Sequence, residues 1–288
     1  MRALVSRLYN SLPVIRELRQ LSGQLTHLLQ EQNWLLTTMS RHMLIQGSDR
    51  FQDPRRLLSA EFQACSQNGE DGILHEIFRR VGLTRRELCE IGCGIGGANN
   101  TSLLVASGWR GFWIDGQHAI GKRISASPGL RNCVKFEQAF VTAENVLALL
   151  AKLGVPSDLD LLSIDIDQNT YHIWRAITSL HPRVVVVEYN ASIPPWMDWA
   201  CEYQPDRVWD GSMNWGAGLK AYERLGQEKG YSLVGCDSTG VNAYFVRNDL
   251  ADPEKFCGPF TAENHFEPPR YAWGARGGHA QSLIDITA

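Results

Sequence analysis

The residues with the clearest chemical potential lie in a glycine-rich turn, residues 87–97 (ELCEIGCGIGG). A short apolar run ends in an acid, Glu90, and glycines follow at positions 92, 94, 96 and 97. A strand that turns sharply into a helix leaves backbone N–H groups unpaired at the positive end of that helix. Glycines let a ligand touch the backbone there. The turn therefore predicts a site for an adenosine cofactor.

Two acids near this turn bear on which cofactor it binds. The spacing Gly92-x-Gly94-x-x-Gly97 formally fits the dinucleotide fingerprint, and Asp115 ends the next strand-like run, where an acid can accept both ribose hydroxyls. NAD would bring a pyrophosphate close to Glu90, and that carboxylate would repel it. S-adenosylmethionine (SAM) carries a positive sulfonium and amino group instead. The charge pattern favours SAM, and an NAD-dependent oxidoreductase is the alternative.

A second set of polar residues follows two later apolar runs. Asp165 and Asp167 come at the end of the run 161–166, and Glu188 and Asn190 come at the end of the run 183–189. The carboxyl ends of neighbouring parallel strands place their side chains at one edge of the sheet. One carboxylate could therefore act as a general base on a hydroxyl, with Asp165 as the leading candidate and Asp167 and Glu188 in support.

The same polar residues allow two other interpretations. Asp165, Glu188 and Asn190 could hold Mg²⁺, a cation that prefers oxygen ligands. Asp167 could simply cap the helix that follows it. His172, just after this acidic loop, is the one histidine that we consider as a further candidate base.

The segment 191–215 is too long for an ordinary connection and unusually aromatic, with Trp196, Trp199, Trp209 and Trp215. Tryptophan faces with nearby acids suit stacking on sugar rings or other flat polar substrates. A lid that packs on the protein's own core is an equally good interpretation. The tail 253–288 either covers the pocket or wraps the surface.

Alternating strand and helix patterns place these residues on an α/β fold. The strand candidates are 87–91, 111–115, 133–140, 159–166, 183–189, 231–236 and 242–248. The helix candidates between them are 71–81, 98–107, 118–126, 143–153, 170–180 and 216–229. The short connection 237–241 allows only an antiparallel hairpin. This order predicts a Rossmann-like seven-stranded sheet with a C-terminal hairpin, whereas a dinucleotide fold normally continues with parallel crossovers.

Residues 1–46 differ from the rest of the chain and predict an N-terminal amphipathic helix. Steps of four and three residues separate the members of an apolar stripe that has one polar interruption: Val14, Leu18, Leu21, Leu25, Leu28, Gln32, Leu35 and Met39. A homo-oligomeric coiled coil through 14–39, packing on the catalytic domain, and peripheral contact with a membrane are all open. Residues 47–54 read as a linker, and the catalytic domain is expected over 55–288.

Composition narrows the class of protein. The chain has 288 residues, 44% of them hydrophobic, which is enough for a substantial core. A net charge of −3 gives no electrostatic footprint for nucleic acid. No apolar run reaches transmembrane length, and the first residues do not resemble a signal peptide. Seven scattered cysteines without a C-x-x-C pair are typical of buried thiols in a reducing compartment, so we expect a cytoplasmic protein.

With Glu90-Ile-Gly-Cys-Gly94, Asp115 and Ser163-Ile-Asp-Ile-Asp167, the chain resembles class I SAM-dependent methyltransferases. More narrowly, it is similar to the FkbM-like group and related bacterial proteins often found with polysaccharide genes. The likeness covers about residues 62–250 and includes three further stretches, at 66–71, 140–145 and 240–245.

This resemblance implies roles for individual residues. Glu90, Gly92 and Gly94 would line the methionine end of SAM, Asp115 would hold the ribose, and Phe140 would lie near the adenine. Asp165 would face the methyl group. The acidic loop also looks like that of metal-dependent sugar O-methyltransferases, although those enzymes often have paired aspartates where this chain has Glu188-Tyr-Asn190.

The expected function is SAM-dependent O-methylation of a hydroxyl on a sugar, glycan or glycolipid. The acceptor is not inherited from a fold, and the substrate could be another small molecule. A non-catalytic scaffold that keeps the fold, with the N-terminal helix as its working part, is the alternative from a different class.

Overall fold

The computed structural model describes residues 13–94 and 99–271. Within these ranges the chain forms two units, 13–48 and 49–271. Gly96 and Gly97 of the glycine turn, and the tail beyond residue 271, lie outside the described residues. None of the helices in the described ranges is both long enough and apolar enough to span a bilayer.

The first unit is a single long helix, α1, over Pro13–Gln46. Large apolar side chains of this helix are about half or more exposed: Val14, Leu18, Leu21, Leu25, Leu28, Leu29, Leu35, Leu36, Met39 and Met43. The stripe is wider than a strict heptad seam, because Leu29 and Leu36 each follow a stripe position by one residue.

The second unit is built on a mixed seven-stranded sheet of order β3-β2-β1-β4-β5-β7-β6. The strands are β1 (Glu87–Ile91), β2 (Arg110–Asp115), β3 (Val134–Gln138), β4 (Leu161–Ile164), β5 (Val184–Glu188), β6 (Tyr231–Cys236) and β7 (Asn242–Arg247). The first five pair in parallel, and β7 runs antiparallel to both β5 and β6. The predicted Rossmann-like sheet with an antiparallel C-terminal hairpin is confirmed.

Helices cover both faces of this sheet. The helices of four or more residues after α1 are α2 (Glu70–Val81), α3 (Ser102–Ala106), α4 (His118–Ala126), α5 (Pro128–Cys133), α6 (Val146–Leu153), α7 (Thr170–Ala176), α8 (Leu219–Lys229) and α9 (Ala262–His265). Two separate apolar clusters fill the space on the two sides of the strands. Strand β5 is apolar without alternation (VVVVE) because its valines are buried on both faces.

Several elements depart from the sequence-based expectation. Helix α5 extends to Cys133, which is the first residue of the predicted strand 133–140. Strand β3 therefore starts at Val134, one residue later than expected. Within 47–54, the stretch read as a linker, a short 3₁₀ helix (Asp49–Gln52) buries Phe51. A buried aromatic ring ties this stretch to the second unit, which a linker of polar composition would not do.

Candidate active site

The glycine turn after β1 lies against the loop after β4. Gly92 has a φ of 87°, and a Cβ on it would lie 1.7 Å from the carbonyl oxygen of Asp165. Gly94 has a φ of 54°, but a Cβ there would meet no atom of the described residues within 4 Å. Gly92 is therefore required for the close approach of two backbones, whereas Gly94 has open space between it and the described residues around it.

A cavity of about 610 Å³, here called the main cavity, opens at the carboxyl ends of β1 to β4. Predicted site residues at its wall are Gly92, Gly94, Asp115, Phe140 and Asp165, together with Asp167. A cavity at the carboxyl edge of an open parallel sheet is where such folds bind their ligands. The structure thus brings most of the predicted cofactor residues to one pocket.

Asp115 and Phe140 meet the cavity in different ways. The carboxylate of Asp115 accepts the backbone N–H of Gly94 at 2.9 Å and that of Gln117 at 2.8 Å, so it ties the glycine turn to the end of β2. The ring of Phe140 is 50% exposed, which is unusual for a large apolar side chain at a pocket wall. An exposed ring beside a cavity offers a face on which a flat ligand can stack.

Glu90 does not line this cavity among the described residues. Its side chain is only 1% exposed, and its carboxylate accepts hydrogen bonds from the Asn99 side chain, from the Asn100 backbone at 3.1 Å and from Thr101 Oγ1 at 2.5 Å. Burial raises the pKa of Glu90 to about 7. The position of Glu90 anchors the chain that leads into α3, a role that the charge argument from the sequence did not anticipate.

Three carboxylates converge after β4 and β5. One oxygen of each of Asp165, Asp167 and Glu188 lies within 4.8 Å of the others. Asp167 follows β4 with a φ of 55°, a left-handed conformation that only a few per cent of non-glycine residues adopt. Such strain is typical of functional sites. The predicted convergence of these three acids is what the structure shows.

Electrostatics couples two of these acids. Burial and the nearby charge of Asp167 together raise the pKa of Asp165 to about 7, although a hydrogen bond with the carboxyl of Glu188 works in the opposite direction. The pKa of Glu188 is raised well above its ordinary value by burial and by the two aspartates. Two carboxyls this close cannot easily both ionise, so the pair holds a proton near neutral pH.

Asn190, the third residue of the predicted metal set, is engaged elsewhere. Its amide donates to the carbonyls of Met213 at 2.8 Å and Trp215 at 3.0 Å, and its side-chain oxygen accepts the backbone N–H of Ser192 at 3.1 Å. The residue is fully buried. Asn190 therefore fastens the long segment 191–215 to the end of β5, and the oxygen cluster consists of Asp165, Asp167 and Glu188 instead.

The segment 191–215 is held to the domain at several points. Tyr203 donates to Glu144 at 2.6 Å, Asn169 donates to the Gln204 carbonyl at 2.9 Å, and His172 Nε2 lies 2.8 Å from the Cys201 carbonyl. Burial lowers the pKa of His172. That histidine holds the segment in place and does not line the main cavity, so its position does not suit a base for a ligand there.

The four tryptophans of the segment have different surroundings. Trp196 is 72% exposed, whereas Trp215 is 6% exposed. The rings of Trp209 and Trp215 lie 6.4 Å apart at an interplanar angle of 62°. Trp209 borders the main cavity, and both rings border a smaller neighbouring cavity. The segment thus places part of its aromatic surface at the site.

Several site residues are not apparent in the sequence. Gln67, Asn169, Arg207 and Val208 also line the main cavity. Arg207 makes an ion pair with Asp210 at 3.2 Å and is the one lysine or arginine among the described residues at this wall. Gln67 lies in the stretch 66–71 that carries part of the family resemblance, and Asn169 lies in the turn after β4, but no motif indicates that either lines a cavity. Arg207 and Val208 come from the long segment.

Two of the stretches that carry the family resemblance form a buried polar network. In 66–71, Asp71 Oδ2 accepts three consecutive backbone N–H groups at 2.7–2.9 Å. In 240–245, Asn242 donates to Glu70 at 2.9 Å, and Asn100 reaches both Asn242 and Ser163. These motifs fix the loops beneath the glycine turn, a structural role.

No protein-family model matches the chain, and no curated protein matches its sequence. Among solved structures, the chain is similar to an O-methyltransferase (NcsB1) from neocarzinostatin biosynthesis in complex with SAM and 2-hydroxy-5-methyl naphthoic acid (13% identity, TM-score 0.37, 57% of this chain and 49% of that one). It is also similar to a SAM-dependent methyltransferase from Aquifex aeolicus (10% identity, TM-score 0.36, 62% of this chain and 89% of that one).

A third similar structure is an O-methyltransferase family protein from Burkholderia thailandensis (13% identity, TM-score 0.37, 62% of this chain and 58% of that one). The match spans about half the length of the neocarzinostatin enzyme. Identities and TM-scores this low are insufficient to carry a function from these proteins to this chain.

Proposed function

We propose that this chain is a SAM-dependent O-methyltransferase that acts on a hydroxyl of a sugar, glycan or glycolipid. The observation that carries the proposal is the sheet order β3-β2-β1-β4-β5-β7-β6, with β7 antiparallel between β5 and β6 and a cavity of about 610 Å³ at the carboxyl edge. An NAD-binding fold normally continues with parallel crossovers at this point.

The residues around the main cavity fit SAM. The open space above Gly94 admits a ligand to the backbone, Asp115 offers a carboxylate for ribose hydroxyls, and Phe140 offers a ring face for the adenine. Asp165 and Asp167 supply negative charge that favours a cationic ligand. Glu90 acts in this proposal through the turn that it anchors. When bound, SAM supplies the methyl group.

The acid cluster is the proposed source of general-base chemistry. A methyl acceptor must lose the proton of its hydroxyl as the new bond forms, and a base with a pKa near the working pH is the most effective. Burial raises the pKa of Asp165 to about 7, which meets that condition. Glu188, which shares a proton with Asp165, and Asp167 complete the group that accepts the proton.

The same three carboxylates could hold Mg²⁺ through oxygen ligands. Such an ion would have to displace the proton that Asp165 and Glu188 share. A chelator distinguishes the metal-bound site from the metal-free one. Methyl transfer that survives chelation needs the carboxylates alone, whereas transfer that stops and returns with added Mg²⁺ needs the ion.

The proposal is tested by incubating the protein with isotopically labelled SAM and a panel of bacterial saccharides, followed by mass spectrometry. A mass increase of one labelled methyl group on a hydroxyl is expected. Labelled product on no saccharide, with the protein folded and SAM bound, would favour the scaffold alternative.

A second role, self-association, is supported by the exposed apolar stripe on α1. Leu21, Leu25 and Leu28 are each more than half exposed on a helix of 34 residues, a surface that usually needs a partner. Light scattering of a Leu21→Glu, Leu28→Glu variant should give a lower mass than the parent chain, and Gln24→Glu, off the stripe, should not. An unchanged mass in the double variant would leave packing on the protein's own domain or a membrane surface as the role of the stripe.

A further inference from the structure

A second, smaller cavity of about 120 Å³ adjoins the main one on the acid side. Asp167 and Trp209 border both cavities, so the two share a wall. The other residues at the small cavity are Glu188, Trp215, Val241 and Tyr271. Asp165 borders the main cavity and Glu188 borders the small one. A ligand in the small cavity therefore lies on the Glu188 side of this acid pair, the side that we assign to the methyl acceptor.

The aromatic walls of this small cavity are held in place. Trp209 donates its indole N–H to the Ser212 carbonyl at 2.8 Å, which leaves its ring to face the cavity as an apolar surface. The backbone of Trp215 is fixed by Asn190, which is itself fully buried at the end of β5. The tilted pair of rings therefore forms a preorganised corner.

Among the residues that the structure describes at the small cavity, the ionisable groups other than the Tyr271 phenol are acids, and the pair of Glu188 with Asp165 keeps one negative charge when it holds one proton. Asp167 and Glu188 contribute carboxyls, and no lysine, arginine or histidine lines it. Apart from the proton that the Asp165 and Glu188 carboxyls share, no N–H or O–H group of the described residues donates to the buried Oε2 of Glu188. This oxygen can therefore accept a donor or a positive charge from a ligand.

Aromatic faces combined with carboxylates are the usual environment for an organic cation. Mg²⁺ fits this wall poorly, since it keeps an octahedral shell of oxygens and waters and the tryptophans offer neither. A cavity of about 120 Å³ admits an ammonium or methylated ammonium group.

We propose that the small cavity binds an ammonium group on the methyl acceptor, so that the acceptor belongs to the amino-bearing class, such as an amino sugar or amino alcohol. This inference rests on the proposed function, because that function is what makes the ligand of the small cavity the methyl acceptor. It excludes acceptors with a phosphate or carboxylate next to the methylated hydroxyl, because Asp167 and the one negative charge that Asp165 and Glu188 share repel them.

Calorimetry on the full chain, saturated with S-adenosylhomocysteine, tests the proposal with choline and its neutral isostere 3,3-dimethylbutan-1-ol as probes. Choline should bind at least about tenfold more tightly than the isostere. Its positive charge adds a desolvated cation–π contact and an attraction to the carboxylates, which together account for a factor of about this size. Glu188→Gln and Trp215→Leu should each remove most of that preference. Trp215→Phe, which keeps a ring, should retain much of it, and Glu202→Gln, an exposed acid of the same segment, should retain all of it.

Equal affinity for choline and the isostere, or no binding of choline, would overturn the proposal. If Trp215→Leu fails to fold, the comparison of the two probes on the parent chain and on Glu188→Gln decides. Failure of S-adenosylhomocysteine to bind would instead contradict the proposed function, so the two failures are distinguishable in one titration series.

Discussion

Asp165 connects the cofactor cavity to the acceptor side of the site. It borders the main cavity, and its carboxyl pairs with that of Glu188, which borders the small cavity. Its backbone carbonyl lies against Gly92, so the fold of the glycine turn depends on the same residue. The side chain of Asp165 can therefore be changed with little effect on the backbone contact.

Asp165→Asn should bind SAM nearly as well as the parent chain and lose about 100-fold or more in turnover, the size expected for a lost general base. Calorimetry and a methyl-transfer assay on the same preparation measure the two effects. Asp158→Asn, an exposed acid paired with Arg85, is the control and should leave both unchanged. Parent-level turnover in Asp165→Asn would remove this residue from the chemistry.

The buried acids also predict how stability depends on pH. The pKa values of Glu90 and Asp165 are both raised to about 7 by burial, so the folded protein holds these protons more tightly than the unfolded chain. Their contribution to stability is complete below about pH 4 and is lost as the pH rises through about 7. The ligand-free protein should therefore lose about 2 °C or more of melting temperature between pH 5 and pH 8.

Thermal denaturation at several pH values checks this dependence. Asp165→Asn, which cannot ionise, should flatten the slope, and Asp158→Asn should keep it. A melting temperature that rises steadily from pH 5 to pH 8 would show that these carboxyls are ionised in the folded protein.

At the scale of elements, the site depends on the strand ends and on the turn between β1 and α3. Any side chain at position 92 would clash with the loop after β4, because its Cβ would lie 1.7 Å from the carbonyl oxygen of Asp165. A Cβ at Gly94 would meet no atom of the described residues within 4 Å, so an alanine there should cost about 1–2 kcal/mol for its left-handed backbone.

Gly92→Ala should thus lower the melting temperature much more than Gly94→Ala does. The Cβ added at position 92 forces the turn after β1 away from the loop after β4. Differential scanning calorimetry of the two variants measures the difference. Equal destabilisation by the two alanines would mean that the turn and the loop are not in contact.

The elements themselves were largely predictable because each pattern is local. The apolar runs of β1 and β5 and the tight connection 237–241 are all read within a few residues, and they lead to the correct sheet. The prediction was weakest at element ends, as in α3, which begins at Ser102 and not at 98. Helix ends depend on tertiary contacts, here the hydrogen bonds of Glu90 to residues 99–101.

At the scale of the whole molecule, the site combines residues from distant parts of the chain. Asp115, Phe140 and Asp165 were predictable because strand ends in this topology meet at one edge. Arg207 and Tyr271 were not, since their positions come from loops that carry no periodic signal. The buried position of Glu90 and the hydrogen bonds of Asn190 to the segment 191–215 were not predictable either, because both depend on tertiary packing.

The central claim, that the main cavity binds SAM, is tested most directly by calorimetric titration of the full chain with SAM, S-adenosylhomocysteine and NAD. Both SAM ligands should bind and NAD should not. Asp115→Ala should weaken SAM binding by about 1–3 kcal/mol, the cost of losing a charged hydrogen bond, while Asp158→Ala should leave it unchanged. Binding of NAD together with no heat from either SAM ligand would contradict the account.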